Sequence, residues 1–363
     1  LLFYDIKVNT AHARMLGEQG IIPKSDMAAL LKALKSIDLA SFKFDPALED
    51  AHTNIERYVI EKCGIAVGGK LHTARSRNDQ SATMMRLYMK DQAEKFVHDL
   101  RLLAQILQKL SKKHSATSMP GFTHHRSAMV TTFGIVCGAW KESVVRDSAR
   151  FLEWLALYDK SPLGSAAGYG TSFPIDREYT ARLLGFKKPE PNILDPITNR
   201  GEAESALVFA ISSLMKHFSQ IAQTLILWSM PQFGYIDLPD EFCTGSSMMP
   251  HKKNPDVLEV IKAKAGFVYG LLQSLLAMNT GNFIGYNRDM QWTKYAVMDA
   301  VDEAHPSIMI LGRLLEGLSI NKIVLGKACK EYNVNITNML EMEVQKTGKP
   351  FRKVKRDMEQ SLQ

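Results

Sequence analysis

The sequence predicts an all-α protein built around a long central helical bundle. Apolar residues recur at helical spacing in six segments, and several of these segments are longer than the helices of ordinary globular proteins. Alternating patterns bounded by hairpin turns, which indicate β-strands, are rare. The chain has 363 residues, 45% hydrophobic and 23% charged, so it can bury a sizeable core. Long helices bury their apolar faces against one another, which favours a bundle that can oligomerise.

Each predicted helix follows from its own apolar pattern. Residues 25–37 carry apolar side chains at every third or fourth position, and residues 87–110 and 258–278 repeat this spacing. Residues 202–230 contain neither glycine nor proline and are closed by Pro231, which predicts one helix of about 40 Å. Residues 128–157 form another long segment without proline, and residues 301–315 form a weaker one with Pro306 near its start.

Polar residues of distinctive composition collect between these helices. Four loop-rich segments contain them: KLHTARSRNDQ (70–80), SMPGFTHHR (118–126), SPLGSAAGYGTSFP (161–174) and GSSMMPHKKNPDVLE (245–259). The net charge of +7 is scattered along the chain rather than clustered in tracts. This distribution indicates attraction for anionic small molecules, with nucleic acid as the weaker option.

The segment 245–259 joins a flexible, basic, hydroxyl-bearing loop to the start of a helix. Asn254 and Pro255 suit an N-cap and a first helical position. A serine alkoxide is a strong base that is hard to form in water, and cations and helix-terminal N–H groups stabilise it. Ser246 and Lys252 lie on this loop, which predicts a mobile element that brings a base to a substrate. The alternative is a Gly–Ser linker followed by a capped helix.

Three other motifs have simpler interpretations. GIAVGGK (64–70) nearly matches a phosphate-binding loop, but it lacks the final hydroxyl and follows a helix-like segment, so a glycine-rich turn is favoured. His124 and His125 are adjacent and would point about 100° apart on a helix, which argues against a shared metal. HTARSRNDQ offers arginines that can bind carboxylates, although an exposed polar loop with local ion pairs explains it equally well.

The cysteines and the apolar runs bear on the compartment. Cys63, Cys137, Cys243 and Cys329 form no C-x-x-C motif, which favours reduced thiols and a cytoplasmic location. No apolar run approaches the length expected of a membrane span, and no signal peptide is visible. The chain begins at LLFYDIKV without methionine, so a leader could have preceded it.

Several motifs resemble one enzyme family. GSSMMPHKKNP resembles the signature loop of the fumarase/aspartase superfamily, and GKLHTARSRNDQ resembles the segment that marks the argininosuccinate lyases within it. SMPGFTH, YNRDMQ, FYDIKVNTAHARML and GKPFRKV are similar to further segments of that family, in the same order along the chain. The sequence is therefore identified as a member of this family.

The resemblance implies an architecture and a reaction. It implies three domains, expected at residues 1–75, 76–326 and 327–363, with the long central helices of four subunits forming the core of a homotetramer. Each active site would draw loops from three subunits. The implied reaction is the reversible cleavage of argininosuccinate to arginine and fumarate in arginine biosynthesis, through a carbanion drawn out as an aci-carboxylate. The family implies no cofactor or metal, and no nucleic-acid or membrane partner is expected.

The resemblance also implies roles for individual residues. Ser246 matches the catalytic serine and is expected to be the general base. His124 matches the catalytic histidine, and Glu259 matches the carboxylate that pairs with it. Lys252 and Asn254 match groups that bind and stabilise the substrate carboxylate. The expected substrate contacts are Ser76, Arg77, Asn78, Thr123, Tyr286, Gln291 and Lys294, with His52 and Arg200 as weaker candidates.

The sequence departs from the family pattern at several positions. His125 and Arg126 stand where the family has Leu-Gln, Gly201 replaces an acid, and Arg288 replaces a lysine. The chain also begins after a segment that helps to form the family's site and stops short of the usual third domain. Two alternatives stay open: another lyase of the superfamily, such as adenylosuccinate lyase, fumarase or aspartase, and a non-catalytic structural protein like the delta-crystallins.

Overall fold

The computed structural model describes residues 1–278 and 280–361, and helices dominate it. In chain order the helices are α1 Leu2–Glu18, α2 Lys24–Lys35, α3 Ala51–Cys63, α4 Ile65–Gly68, α5 Arg77–Lys113, α6 Phe133–Tyr158, α7 Arg177–Leu183, α8 Asp195–Thr198, α9 Glu202–Ser229, α10 Asp256–Met278, α11 Thr293–Glu316, α12 Lys322–Glu331, α13 Ile336–Thr347 and α14 Phe351–Ser361. Short 3₁₀ turns cover Gly69–His72, Asp240–Phe242 and Arg288–Trp292. The predicted all-α class is confirmed.

The strands are short and form three two-stranded sheets in the described chain. They are β1 Ser118–Thr123, β2 Arg126–Thr132, β3 Lys160–Ser161, β4 Lys188–Pro189, β5 Ile236–Asp237 and β6 Ser319–Ile320. β1 pairs with β2 and β5 with β6 in antiparallel fashion, whereas β3 and β4 are parallel. The β1–β2 hairpin corrects one prediction: residues 128–132 lie in β2, and helix α6 begins only at Phe133.

The chain divides into two compact units. The first unit comprises Leu1–His98, Ala149–Ser212 and Phe267–Glu303, and the second comprises Asp99–Ser148, Ser213–Gly266 and Ala304–Gln363. The helices α5, α6, α9, α10 and α11 each continue from one unit into the other. The expected three-domain division stays a prediction.

The amino-terminal part of the first unit packs around a small apolar core. Leu30 and Leu34 of α2 lie one helical turn apart and are buried together with Leu16 of α1 and Ile55 of α3. Fully burying each such side chain contributes roughly 1.5–3 kcal/mol. This core fixes α1 and α3 relative to each other. Asp5 of α1 and His52 of α3 are thereby held close together.

Three of the long helices test the sequence predictions closely. Helix α9 ends at Ser229, one residue before the predicted boundary. Helix α5 begins at Arg77, ten residues before the predicted start, so the end of the KLHTARSRNDQ segment is helical rather than a loop. Helix α11 begins at Thr293 and continues through Pro306, eight residues before the prediction. The added turns of α5 begin with the polar run Arg77–Gln80, whereas those of α11 bury Ala296, Val297 and Ala300, an apolar repeat that the prediction did not use.

Helix α10 is long and apolar enough to cross a bilayer by length and composition, where the sequence was expected to contain no such segment. This property is weak support for a membrane span, because core helices of soluble proteins also have it. Only 22% of its most apolar window is buried within the single chain. Most of its apolar surface is therefore exposed in the single chain.

Candidate active site

The loop between Thr244 and Asn254 is closed at its base by backbone pairing. The N–H of Thr244 donates to the carbonyl of Asn254 at 3.0 Å, and the N–H of Asn254 donates back at 2.8 Å. The hydroxyl of Thr244 also donates to the carboxylate of Asp256 in the first turn of α10. Asn254 is thus a bridge residue rather than the predicted N-cap, and α10 begins at Asp256 rather than at Pro255.

Ser246 lies on this loop and its hydroxyl oxygen faces backbone donors. Its Oγ accepts hydrogen bonds from the N–H of Met249 at 3.0 Å and from the N–H of Met248 at 3.3 Å. The side chain of Met248 is 87% exposed, whereas Ser246 is half-buried. Two N–H dipoles aimed at one oxygen stabilise negative charge on it, because charge-assisted hydrogen bonds are about twice as strong as neutral ones. The arrangement can therefore stabilise negative charge that develops on this serine.

His124 stands at the tip of the β1–β2 hairpin. Thr123 and Arg126 are paired across the ladder, so His124 and His125 alone form the turn. Both have positive φ, +52° and +58°, as a two-residue type I′ turn requires. Neither is a glycine, so the turn holds both in a conformation that costs about 1–2 kcal/mol per residue. The tight turn presents the His124 ring outside the ladder.

The remaining predicted residues of the second unit are also at its surface. Lys252 and Glu259 are exposed, and Glu259 lies in the first turn of α10. Within residues 1–278 and 280–361 no hydrogen bond or ion pair joins Glu259 to His124. The predicted pairing of these two residues is therefore not made within one chain.

Ser76, Arg77 and Asn78 lie at the start of α5 in the first unit. The hydroxyl of Ser76 accepts from the N–H of Asn78 at 3.2 Å, and Asp79 accepts from the N–H of Ser76 at 3.0 Å. This reciprocal cap satisfies helix-terminal donors and holds the turn. The guanidinium of Arg77 contacts Glu56 at 2.5 Å.

Arg200 and Tyr286, two of the predicted substrate residues, lie close together in the first unit. The guanidinium of Arg200 is buried and lies 5.9 Å from the ring centroid of Tyr286. The N–H of Gly285 donates to the hydroxyl of Thr198 at 3.0 Å, which holds the two segments together. Burial lowers the pKa of Arg200, opposed by the charge of Glu204. The Nε of Arg200 and the hydroxyl of Tyr286 are buried and make no hydrogen bond within the described chain.

Gln291 and Lys294 lie close to Tyr286 in sequence. Gln291 is half-buried in the 3₁₀ turn Arg288–Trp292, and Lys294 is half-buried in the first turn of α11. The ammonium of Lys294 lies 5.1 Å from the ring centroid of Tyr295. These two residues follow Tyr286 along the chain, and within residues 1–278 and 280–361 no hydrogen bond joins them to the Arg200–Tyr286 pair.

Asp5, Asp79 and Gln80 are buried polar residues of the first unit that the sequence analysis did not name as site residues. His52 of α3 contacts the fully buried Asp5 of α1, and Gln80 of α5 contacts the same carboxylate. Asp79 accepts from the N–H groups of Gly164 at 3.0 Å and Ala166 at 2.9 Å, so it also holds the 161–174 segment. Desolvation raises the pKa of Asp79 to about 6, opposed by these hydrogen bonds and by the charge of a neighbouring arginine.

Arg75 and His12 are two further buried polar residues of the first unit. The guanidinium of Arg75 donates to the side-chain oxygen of Asn9 at 2.8 Å, and its burial lowers its pKa to about 10. The ring of His12 lies 2.8 Å from the carbonyl of Thr73, and burial together with the charge of Arg75 keeps its pKa well below the usual value. In the part of the chain that the structure describes, no group of three or more His, Cys, Asp or Glu is placed to hold a metal ion.

Comparisons with known proteins show which class of protein this chain resembles. Residues 2–270 match a family model described as Lyase. A crystal structure of EDDS lyase in complex with formate superposes with a TM-score of 0.87 at 26% identity, covering 97% of this chain and 69% of that one. A class II fumarase from Schistosoma mansoni has the same fold, with a TM-score of 0.81 at 15% identity, over 99% of this chain and 87% of that one.

A curated relative identifies the family within that class. The argininosuccinate lyase 1 of Mesorhizobium japonicum is 40% identical over 352 residues, which are 96% of this chain and 75% of the relative. The chain belongs to the argininosuccinate lyase family.

Proposed function

We propose that this chain catalyses the reversible β-elimination of argininosuccinate to arginine and fumarate, in arginine biosynthesis. Family membership and the loop that carries Ser246 support this reaction. The observation that carries the proposal is the pair of backbone N–H groups on the hydroxyl oxygen of Ser246. An alkoxide is strong enough to remove a proton from carbon beside a carboxylate, and these donors stabilise one.

The elimination needs a base that removes a proton and groups that stabilise the negative charge formed on the substrate carboxylate. Ser246 takes the proton from the carbon beside the carboxylate, and the electron pair of that C–H bond moves into the carboxylate as an aci-carboxylate. The pair then returns to form the carbon–carbon double bond of fumarate while the bond to the guanidino nitrogen breaks. Lys252 and Asn254 face this charge in the proposal, because preorganised cations and donors contribute most where charge develops. His124, directly or through water, is the proposed donor to the departing nitrogen.

The carboxylate of Glu259 supports the histidine in this proposal. A carboxylate beside an imidazole favours the charged ring, which is the form that can donate a proton. Since no hydrogen bond or ion pair joins His124 to Glu259 within residues 1–278 and 280–361, we place this pair between two subunits. Thr123 lies beside His124, and the first-unit residues Ser76, Arg77, Asn78, Arg200 and Tyr286 are proposed to bind the substrate, together with His52, Gln291 and Lys294.

The apolar surface of the long helices supports a homotetramer with active sites shared among three subunits. Large apolar side chains are between two-fifths and two-thirds exposed on α6, α9 and α10, namely Ile135, Val145, Leu152, Leu157, Phe209, Val260, Phe267, Tyr269 and Leu276. A soluble monomer rarely leaves such contiguous apolar faces in water. Partner helices would cover them, which explains the weakly buried α10 without a membrane.

The four cysteines support a cytoplasmic location. Cys63, Cys137, Cys243 and Cys329 are all free thiols. Unpaired thiols are typical of a reducing compartment. The proposal needs no cofactor.

Fumarate release from argininosuccinate, followed by ultraviolet absorbance, tests the function. A panel with adenylosuccinate, malate and aspartate separates this reaction from those of other superfamily members. Activity on one of these three and none on argininosuccinate would contradict the proposal. No activity on any substrate from a folded tetramer would favour the non-catalytic alternative.

A further inference from the structure

A buried carboxylate contacts His52, one of the predicted substrate residues, and reaches Arg77, another of them, through Gln80. Asp5 of α1 is fully buried, and its Oδ2 lies 2.6 Å from Nδ1 of His52 on α3. Its Oδ1 accepts from Nε2 of Gln80 on α5 at 2.8 Å and from Nδ2 of Asn9 at 3.0 Å. One carboxylate therefore ties three helices of the first unit together through three side-chain donors.

The same network continues from Gln80 to Arg77. The Oε1 of Gln80 accepts from Nη1 of Arg77 at 3.2 Å. Because the amide NH₂ of Gln80 is used by Asp5, the amide can turn only its oxygen toward the guanidinium. The other side of the guanidinium is held by Glu56. Asp5 thus sets the orientation of Gln80, and Gln80 helps to set that of Arg77.

The contact with Asp5 also determines where His52 carries its hydrogen. A carboxylate only accepts, so Nδ1 of His52 must be the donor in this bond. The other ring nitrogen, Nε2, makes no hydrogen bond within residues 1–278 and 280–361. It is therefore the atom that His52 can offer to a ligand, as an acceptor when the ring is neutral and as a second donor when it is charged.

We propose that Asp5 is a positioning residue of the substrate site. It fixes the ring orientation and tautomer of His52 and, through Gln80, the guanidinium of Arg77. Its three donors occupy three of the roughly four acceptor sites of a carboxylate, and its burial excludes water that could replace them, so the support is rigid. Such preorganisation matters because small displacements of groups that hold a substrate are costly to turnover. The inference rests on the proposed function, in which His52 and Arg77 bind argininosuccinate.

The variant Asp5→Asn tests this role with almost no change in shape. Its single oxygen can satisfy Gln80 and Asn9, but its NH₂ then faces Nδ1 of His52 and forces the ring hydrogen to Nε2. We expect kcat/KM to fall by about tenfold to about 100-fold. Most of the loss should appear in KM, because His52 and Arg77 are proposed to bind substrate rather than to move its protons.

A double-mutant cycle separates positioning from general stability. If Asp5 acts through His52, Asp5→Asn should cost at least threefold less in a His52→Gln background than in the parent, because coupled residues are not additive. Equal losses in both backgrounds would overturn the inference. The matched control is Asp147→Asn: Asp147 is also fully buried and lies 2.7 Å from Nδ1 of His217, in the second unit. That variant should keep kcat/KM within a factor of two.

Two further measurements keep the inference testable by itself. Crystal structures of the parent and Asp5→Asn need no turnover: a His52 ring and an Arg77–Gln80 contact that stay unchanged would refute the role of Asp5. Failure of the parent to release fumarate would contradict only the proposed function. If Asp5→Asn does not fold, Gln80→Met removes the amide while keeping the length. This variant should raise KM because Arg77 loses its contact with Gln80. An unchanged KM would refute the proposed link from Asp5 through Gln80 to Arg77.

Discussion

The backbone N–H of Met249 is the shorter of the two donors to the hydroxyl of Ser246, at 3.0 Å against 3.3 Å. An amide-to-ester substitution at residue 249 replaces this N–H by oxygen and leaves every side chain in place. If Ser246 ionises to act as the base, the substitution removes one of the two donors that stabilise the alkoxide. The donor of Met248 remains, so we expect reduced rather than abolished turnover.

The expected loss in kcat depends on whether the hydroxyl oxygen of Ser246, which accepts the hydrogen bond, is neutral or charged. A hydrogen bond to a charged group contributes roughly 1.5–3 kcal/mol, whereas a neutral one contributes roughly 0.5–1.5 kcal/mol. The loss in kcat is the difference between these two contributions, roughly 1–1.5 kcal/mol. Since about 1.36 kcal/mol changes a rate tenfold, kcat should fall by about fivefold to about 13-fold. The substrate binds while Ser246 is still neutral, so KM should change by much less.

The assay is steady-state fumarate release by the semisynthetic ester variant. The control is the same substitution at Cys243, whose N–H donates to the carbonyl of Asp240 at 3.1 Å and does not contact Ser246. The control removes an equivalent backbone hydrogen bond ahead of the loop and should retain kcat within a factor of three. A residue 249 ester with parental kcat, or equal losses in both variants, would refute the alkoxide argument.

Three further predictions concern stability and assembly. The folded chain holds His12 neutral while the unfolded chain takes up its proton below pH 6.5, so the free energy of unfolding should fall as the pH drops through 6.5, by up to about 1.36 kcal/mol per pH unit. Urea titrations at several pH values measure this slope, and an unchanged slope in His12→Gln would contradict the assignment. His125→Gly should relieve the positive φ and raise the free energy of unfolding by up to about 1 kcal/mol with kcat retained, whereas a loss of stability would argue against strain in the turn. Phe267→Glu places a charge on the exposed face of α10 and should dissociate the assembly in sedimentation velocity runs, and a persisting tetramer would contradict the proposed interface.

The long helices were predictable because their apolar repeats and their stops are local. Pro231 follows α9 directly, and the prediction ended within one residue of the observed boundary. The hairpin was missed because no proline separates Val130, Thr131 and Thr132 from the apolar pattern of the following helix. Their β-branched side chains favour a strand once β1 is available to pair with, and that pairing is not visible in the spacing.

The site was predictable only where a residue carries its chemistry in a motif. Ser246 and His124 were predicted from such motifs, and we expect their partners to come from other subunits. Asp5 was not predicted as a site residue. It contacts His52 across 47 residues of sequence, and no local sequence pattern predicts a contact over that distance. Buried polar networks depend on tertiary packing, so their members are recognised only when the helices are in place.

The most direct test of the account is fumarate release from argininosuccinate by the parent and by Ser246→Ala. The account predicts release by the parent and loss of nearly all turnover in the variant, with the same fold by circular dichroism and the same assembly. Near-parental turnover by Ser246→Ala would contradict the central claim that this serine is the base.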